Sequence, residues 1–299
     1  MTKKPFDKQA STPEQLLEKL RGQGLVVPAE EEAQALAYLR YVGGYRLKGY
    51  WFHLVDPQTK RFPAGWTFAR IAERCEFDRK LRAATIEAVD RLEVAVRSVM
   101  GHYLSLKHSP HWFLNTAIFK PTRDSGIGQL IRKIEDEVRR ADRKRFVKHY
   151  FTHHDEPYLP PSWSISECVS FGLWSRTYAI LRDPNDKKAI CKRFGVDQSE
   201  VFQSWIHTLT VVRNIAAHHG QLLRVQLGVS PANYRAAGIH FSDQKSFFAA
   251  ATVIHYLLGR TGLPHRWEED LVQIFARYPN VDIADLGFPV NWQSLPGWA

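Results

Sequence analysis

The stretch from Thr67 to about Met100 most narrows what this chain can fold into. Ile71, Phe77, Leu81, Ile86, Val89, Leu92, Val96 and Val99 recur there mostly at three- and four-residue steps. Glu73, Arg74, Asp78, Arg79, Arg82, Glu87, Asp90, Arg91 and Arg97 take most of the remaining positions. That spacing returns the apolar side chains to one stripe of a 3.6-residue helix. It predicts one long amphipathic helix, with room for a kink near Cys75.

The same period dominates elsewhere. Thr12-Pro13-Glu14 opens a helix to about Arg21, with Thr12 as N-cap and Pro13 in the first helical position. Glu30 to Tyr41 reads as a second helix. Residues 41–56, YVGGYRLKGYWFHLVD, are glycine-punctuated and aromatic, and a short hairpin and a packed turn both fit them. Residues 101–125 read as loop. Helices are then expected over Gly126–Tyr150, Trp163–Leu181, Lys187–Phe194, Glu200–His219, Ser242–Leu258 and Glu268–Arg277. Asp183 to Asp186 reads as a turn. Asp197 or Ser199 would cap the Glu200 helix, and Gly220 would end it. The expected fold class is mostly α.

Composition excludes several functions. Lysine and arginine number 41 against 31 acids, a net charge of +10, which favours a polyanionic partner. Cys75, Cys168 and Cys191 are odd in number and include no C-x-x-C, so neither a disulfide framework nor a zinc knuckle is expected. The basic N-terminus has no apolar stretch behind it, unlike a secretory signal. Phe247 to Leu258 is the most apolar window; it is too short for a bilayer span and reads as a buried helix. A soluble, cytoplasmic protein without membrane contact is expected. No Walker-type, HExxH or GxSxG motif occurs, nor a strand-anchored GxGxxG, so nucleotide-cofactor, zincin and serine-hydrolase chemistry starts far behind.

The segment that can carry chemistry is Arg213-Asn214-Ile215-Ala216-Ala217-His218-His219. An arginine separated from a following histidine by four to six residues marks one class of metal-independent ribonuclease. With 25 arginines and 13 histidines in 299 residues, roughly three such spacings arise by chance, and seven occur. Context separates them. Pro264 interrupts Arg260–His265. Glycines weaken Arg46–His53, Arg235–His240 and Arg97–His102. Arg143–His149 lies on a solvated, charged helix. Only Arg213 to His219 lies within an uninterrupted amphipathic helix, whose buried face would be Phe202, Trp205, Ile206, Leu209, Val212 and Ala216. Asn214 and His218, four apart, share a face of it.

These residue types suit RNA cleavage by its own 2′-hydroxyl. Histidine exchanges protons near neutral pH. Arginine donates two parallel hydrogen bonds to phosphoryl oxygens. Asparagine can orient either group. No metal or cofactor is required. The competing reading is structural: a histidine pair at a helix C-terminus can simply face the helix dipole, with Arg213 at the edge of the buried face.

At these residues the chain resembles the Abi-like proteins of bacterial phage defence, the abortive-infection AbiD/AbiF type, within the HEPN superfamily. The resemblance runs from about residue 3 to 225. It is carried by Leu16–Leu25, Tyr45–Tyr50, Phe77–Arg82 with Arg91-Leu92-Glu93 and Arg97, Ser170–Ser175, and Leu209 with Val212-Arg213-Asn214 through His218-His219. The resemblance implies a HEPN-like helical bundle with additional N-terminal helices, ribonuclease activity and a toxin-like role. It carries Arg213 and His218 over as catalytic, with Asn214 in the polar position next to the arginine; His219, adjoining His218, is the further residue that can assist on its own chemistry. It also implies RNA as partner, both as target and as a structured non-coding RNA. HEPN sites join two motif helices, so a single copy implies a homodimer. The organisation expected is an N-terminal helical and aromatic region at 1–66, a HEPN-like domain at 67–262 and a C-terminal extension at 263–299. After the motif the chain departs from the family pattern, at Gly220-Gln221-Leu222-Leu223-Arg224-Val225.

Arg139, Arg140, Arg143, Lys144, Arg145 and Lys148 form a basic face that suits an RNA backbone, or simply solvent. Tyr41, Tyr45, Tyr50, Trp51 and Phe52 suit core packing better than base stacking. His153-His154 and His108-x-x-His111 lack the acids or cysteines that would complete a metal site. The alternative function is a non-catalytic RNA-binding protein in complex with a cognate non-coding RNA; a membrane-surface or protein adaptor has little support.

Overall fold

The computed structural model describes residue 5 and residues 9–121 and 126–299. Their regular structure is helical: α1 (Pro13–Gly22), α2 (Glu32–Tyr38), α3 (Gly44–Trp51), α4 (Phe68–Lys107), α5 (Gly126–Arg140), α6 (Arg145–His153), α7 (Ser162–Ile165), α8 (Phe171–Ile180), α9 (Pro184–Lys192), α10 (Ser199–Ala217), α11 (Phe247–Thr261) and α12 (Trp267–Arg277). Among the described residues there are no strands, only isolated bridges such as Val26 with Thr67. The expected mostly α class is what is observed. The four residues 122–125 of the expected loop lie outside the described residues.

The chain divides into two compact units. One comprises residues up to Leu81 together with Val272–Asp282; the other comprises Arg82–Leu271 and Ile283–Ala299. In the first, Thr12 caps α1 through a reciprocal capping box with Gln15, and Pro13 occupies the first turn. The segment expected as a hairpin or turn is helical instead: a π-helical turn over Leu39–Gly43 leads into α3. Its glycines serve close approach and a local twist, not a β-turn. Gly43 has φ +91°, and a methyl group on Gly44 would run into Leu16 of α1. Tyr50 and Trp51 are buried, and the Tyr50 hydroxyl donates to buried Asp78 at 2.9 Å. Tyr41, Tyr45 and Phe52 face outward, Tyr45 at 94% exposure, so the aromatic run is only partly core.

The second unit is built around α10. All six side chains expected on its inner face are buried. They pack towards α8, α9 and α11. Trp205 anchors the centre: its indole N–H donates to the Ala232 carbonyl at 2.8 Å, and its ring meets Tyr234 and Tyr256 edge-on. Helix α11 is buried almost all round, as its composition predicts, and its N-cap is Ser246.

Several expected boundaries move, each for a packing reason. Helix α4 runs past Gly101 to Lys107, because Leu104 is fully buried and Ser162 Oγ bonds the Gly101 carbonyl at 3.4 Å. The single charged helix expected over 126–150 is two. Val138 and Val147 are both buried, yet on one straight helix nine residues would set them half a turn apart. The break at Ala141–Lys144 lets both face inward. The helix expected over 163–181 is also split, because Glu137 takes hydrogen bonds from both the backbone N–H and the hydroxyl of Ser170 (2.6 and 3.0 Å) just ahead of α8. Pro184 opens α9 with Asp183 as its cap, so the expected turn is a helix start. Neither Asp197 nor Ser199 caps α10: Gln198 takes the N-cap position without a side-chain bond, while Asp197 accepts from the Tyr234 hydroxyl.

Candidate active site

The C-terminal turn of α10 departs from expectation in a way that bears on chemistry. The helix ends at Ala217, not at His219. The Gly220 N–H reaches the Ile215 carbonyl at 2.7 Å and the His219 N–H reaches the Ala216 carbonyl at 3.3 Å. This pair of bonds is a Schellman stop. The left-handed position of that motif normally takes glycine, but here His219 occupies it at φ +61°. Gly220 is required next to it for a different reason, since a Cβ there would lie 2.9 Å from the Ile215 carbonyl oxygen. A histidine held where glycine fits better costs on the order of 1 kcal/mol, and strain of this kind gathers at functional sites.

His218 keeps the helical bond to the Asn214 carbonyl at 3.0 Å, so the two remain one turn apart, as expected. Asn214, His218 and His219 are exposed. Arg213 is turned towards α4, where its Nε lies 3.5 Å from Oε2 of Glu93. The other oxygen of that carboxylate pairs with Arg97, whose guanidinium also donates to the Ser166 carbonyl at 3.2 Å. The carboxylate is thus shared by two guanidiniums. The Glu93 side chain is 8% exposed, whereas that of Arg213 is 41% exposed. The arginine is held from behind and remains open to solvent in front. Arg97, in the rival Arg97–His102 spacing, is mostly buried by the same pairing, while His102 is exposed.

The Arg-His spacing gives Glu93 no part in the site. A signal was nonetheless present. Val89, Val96 and Met100 are fully buried, and Glu93 stands among them at helical spacing, a carboxylate on the apolar stripe of α4. Charge is rarely buried unless it is paired.

The six basic candidates are all exposed, but they do not share one helix. Arg139 and Arg140 end α5, Arg143 lies in the intervening turn, Lys144 is the N-cap of α6, and Arg145 and Lys148 lie on α6. Arg139 is paired with Glu135 at 2.9 Å. Lys144 Nζ donates to the Glu167 carbonyl, beside the Ser166 carbonyl that Arg97 uses. Cys168 follows directly; Lys144 and Arg97 both act on its thiol, yet burial is the larger effect and pushes it up. The structure therefore brings the basic turn and the Glu93 cluster to one segment, Ser166–Cys168.

The histidine pairs are separate. His108 bonds Asp186 at 2.9 Å, His111 faces Tyr150, and His153 donates through Nδ1 to the His149 carbonyl of its own helix at 2.8 Å. Among the described residues no group of three or more histidine, cysteine, aspartate or glutamate side chains is placed to hold a metal ion.

The family model described as "Abi-like protein" matches residues 37–224. The chain belongs to the Abi-like protein family. The matched span holds Tyr45–Tyr50, Glu93, Arg97, Ser170–Ser175 and the whole Arg213–His219 segment, and it ends at Arg224; Leu16–Leu25 precedes it. The family's span thus includes both the carboxylate and the arginine that meet at the end of α10. No curated protein and no solved structure matches the chain. No helix among the described residues is long and apolar enough to cross a membrane.

Proposed function

We propose that this Abi-like protein is a metal-independent endoribonuclease of the HEPN type, the AbiD/AbiF kind, acting as a toxin-like effector in phage defence. The observation that carries this reading is the sharing of Glu93. A buried carboxylate fixes Arg213 from one side, while Asn214 and His218 stand exposed on the adjoining turn. A guanidinium aimed in advance needs little reorganisation to meet a phosphodiester.

In the reaction the 2′-oxygen of RNA loses its proton as it bonds to phosphorus. The P–O5′ bond breaks and the 5′-oxygen takes up a proton, leaving a 2′,3′-cyclic phosphate. His218 serves one of the two proton transfers. Arg213 stabilises the charge on the phosphoryl oxygens. Asn214 orients the phosphate or the imidazole, and His219 assists from its left-handed position. A second α10 terminus, supplied by the other protomer of a homodimer, provides the complementary proton transfer. The cytoplasm is where such an enzyme meets its target RNA.

Labelled RNA incubated with the protein in EDTA should be cut, and Arg213→Ala and His218→Ala should each slow cutting by at least about a hundredfold. Cutting that persists in both variants would reject the site. A second reading, a non-catalytic binder of a structured non-coding RNA, is favoured by the exposed basic residues of 139–148. Its mark would be RNA that co-purifies intact and is never cut.

A further inference from the structure

Beyond Glu93, α4 leaves one face bare. Val94, Ser98, His102 and Leu106 follow one another at four-residue steps, all of them exposed, with Leu106 at 76%. Facing this ridge is Trp163 in α7, a large aromatic ring left 58% exposed. Between them lies a cavity of about 440 Å³, lined by Val94, Arg97, Ser98, His102, Trp163 and Glu167 among others. A second cavity of about 640 Å³ adjoins it across the Ser98–His102–Leu106 ridge. Volumes of this size are those of small-molecule sites.

Charge narrows what the groove accepts. Arg97 forms part of its wall, and Lys144 is bonded to the carbonyl of Glu167, a lining residue. Arg143 and Arg145 flank Lys144 and are exposed. Glu167 is the single acid among the lining residues. The walls mix an aromatic face with hydroxyl, imidazole and guanidinium groups, so an apolar helix docked here would leave polar groups unpartnered. A flat ring with hydrogen-bonding edges, attached to an anionic backbone, satisfies both.

We infer that the groove is a nucleobase pocket: an unpaired base of single-stranded RNA stacks on Trp163, its edge faces Ser98 and His102, and the adjoining phosphates meet the exposed cations Arg143, Lys144 and Arg145. This rests on the RNA reading above and adds the substrate class. Duplex RNA does not qualify, because its bases are already stacked and paired. The pocket is tied to the cleavage site through Glu93: Arg97 walls the groove and shares that carboxylate with Arg213, so a strand seated on Trp163 leads towards Arg213.

The test uses the full-length protein and a fluorescent single-stranded 2′-fluoro RNA oligomer, which cannot be cut by its own 2′-oxygen. Binding is followed by anisotropy. Trp163→Ala should weaken binding roughly five- to hundredfold, while Trp163→Phe keeps most of it. Ser98→Trp, which fills the groove, should weaken binding as well. An abasic site at the seated position should cost the wild type a similar factor and cost Trp163→Ala nothing. Duplex binding should be unchanged. Equal affinity of wild type and Trp163→Ala for the oligomer overturns the inference. So does a Trp163→Ala variant whose mass by light scattering falls by half, because the face would then be a contact between copies of the chain. The outcomes also separate the two proposals. RNA held through Trp163 but never cut keeps the pocket and removes the nuclease. Cutting that needs Arg213 and His218 but ignores Trp163 does the reverse.

Discussion

Replacing Glu93 by glutamine isolates what its carboxylate contributes. Glu93→Gln keeps the side chain's size and removes the negative charge that Arg97 and Arg213 share. Breaking a buried ion pair by removing one partner costs about 3–5 kcal/mol. Two features of this site lower that figure. The Arg213 side chain is 41% exposed, so water screens it and its share falls to the surface range of about 0.2–1 kcal/mol. Arg97 is more deeply buried but keeps its bond to the Ser166 carbonyl. The expected loss is therefore about 3 kcal/mol, most of it from the Arg97 side. Arg213→Ala removes only the exposed partner and should cost less than about 1 kcal/mol. Arg97→Ala should resemble Glu93→Gln, because it leaves the carboxylate buried with a single, partly hydrated cation. Urea unfolding followed by far-ultraviolet circular dichroism measures all three. A Glu93→Gln protein within about 0.5 kcal/mol of wild type would refute the shared-carboxylate argument. So would an Arg213→Ala protein destabilised as much as Glu93→Gln.

Three further predictions concern the helix end and two half-buried histidines. His219→Gly should raise stability by about 1 kcal/mol in the same urea assay, because glycine adopts φ +61° without a Cβ clash, and should lower RNA cutting if the imidazole assists. Gly220→Ala should cost about 1–3 kcal/mol and reduce cutting, since its methyl group would meet the Ile215 carbonyl and open the Schellman turn; unchanged stability would show that the turn tolerates a Cβ. Burial holds His255 and His111 below the ordinary 6.5. Both then stay neutral in the folded chain at pH values where the unfolded chain takes up protons. Stability should be level above about pH 6.5 and fall as pH drops below it, a slope that a melting-temperature series from pH 8 to 5 would reveal and that His255→Gln should flatten.

Much of the helical content was legible because it rests on periodicity. The Phe202-to-Ala216 stripe of α10 and the capping of α1 by Thr12 follow from local rules and are found as expected. What sequence could not supply was set by partners distant along the chain. Residues 41–51 are helical, and Gly44 lets that helix close against Leu16 of α1, a contact that no local rule announces. The 126–150 and 163–181 helices break because Val147 must face inward and Glu137 captures Ser170. At the candidate site, the Asn214–His218 spacing was legible, being local. The left-handed His219 was not, because glycine at 220 is the expected stop and only the geometry reveals that the turn falls one residue earlier. Glu93 carried a visible signal, a charge on an apolar stripe, but its partner Arg213 lies over a hundred residues away and no spacing rule links them.

The most direct test of the account is the chemistry of the RNA ends. Wild-type protein in EDTA should yield fragments with 2′,3′-cyclic phosphates and 5′-hydroxyls, and Arg213→Ala, still folded, should yield at least about a hundredfold fewer. Fragments carrying 5′-phosphates, or an Arg213→Ala protein that cuts as fast as wild type, would contradict it.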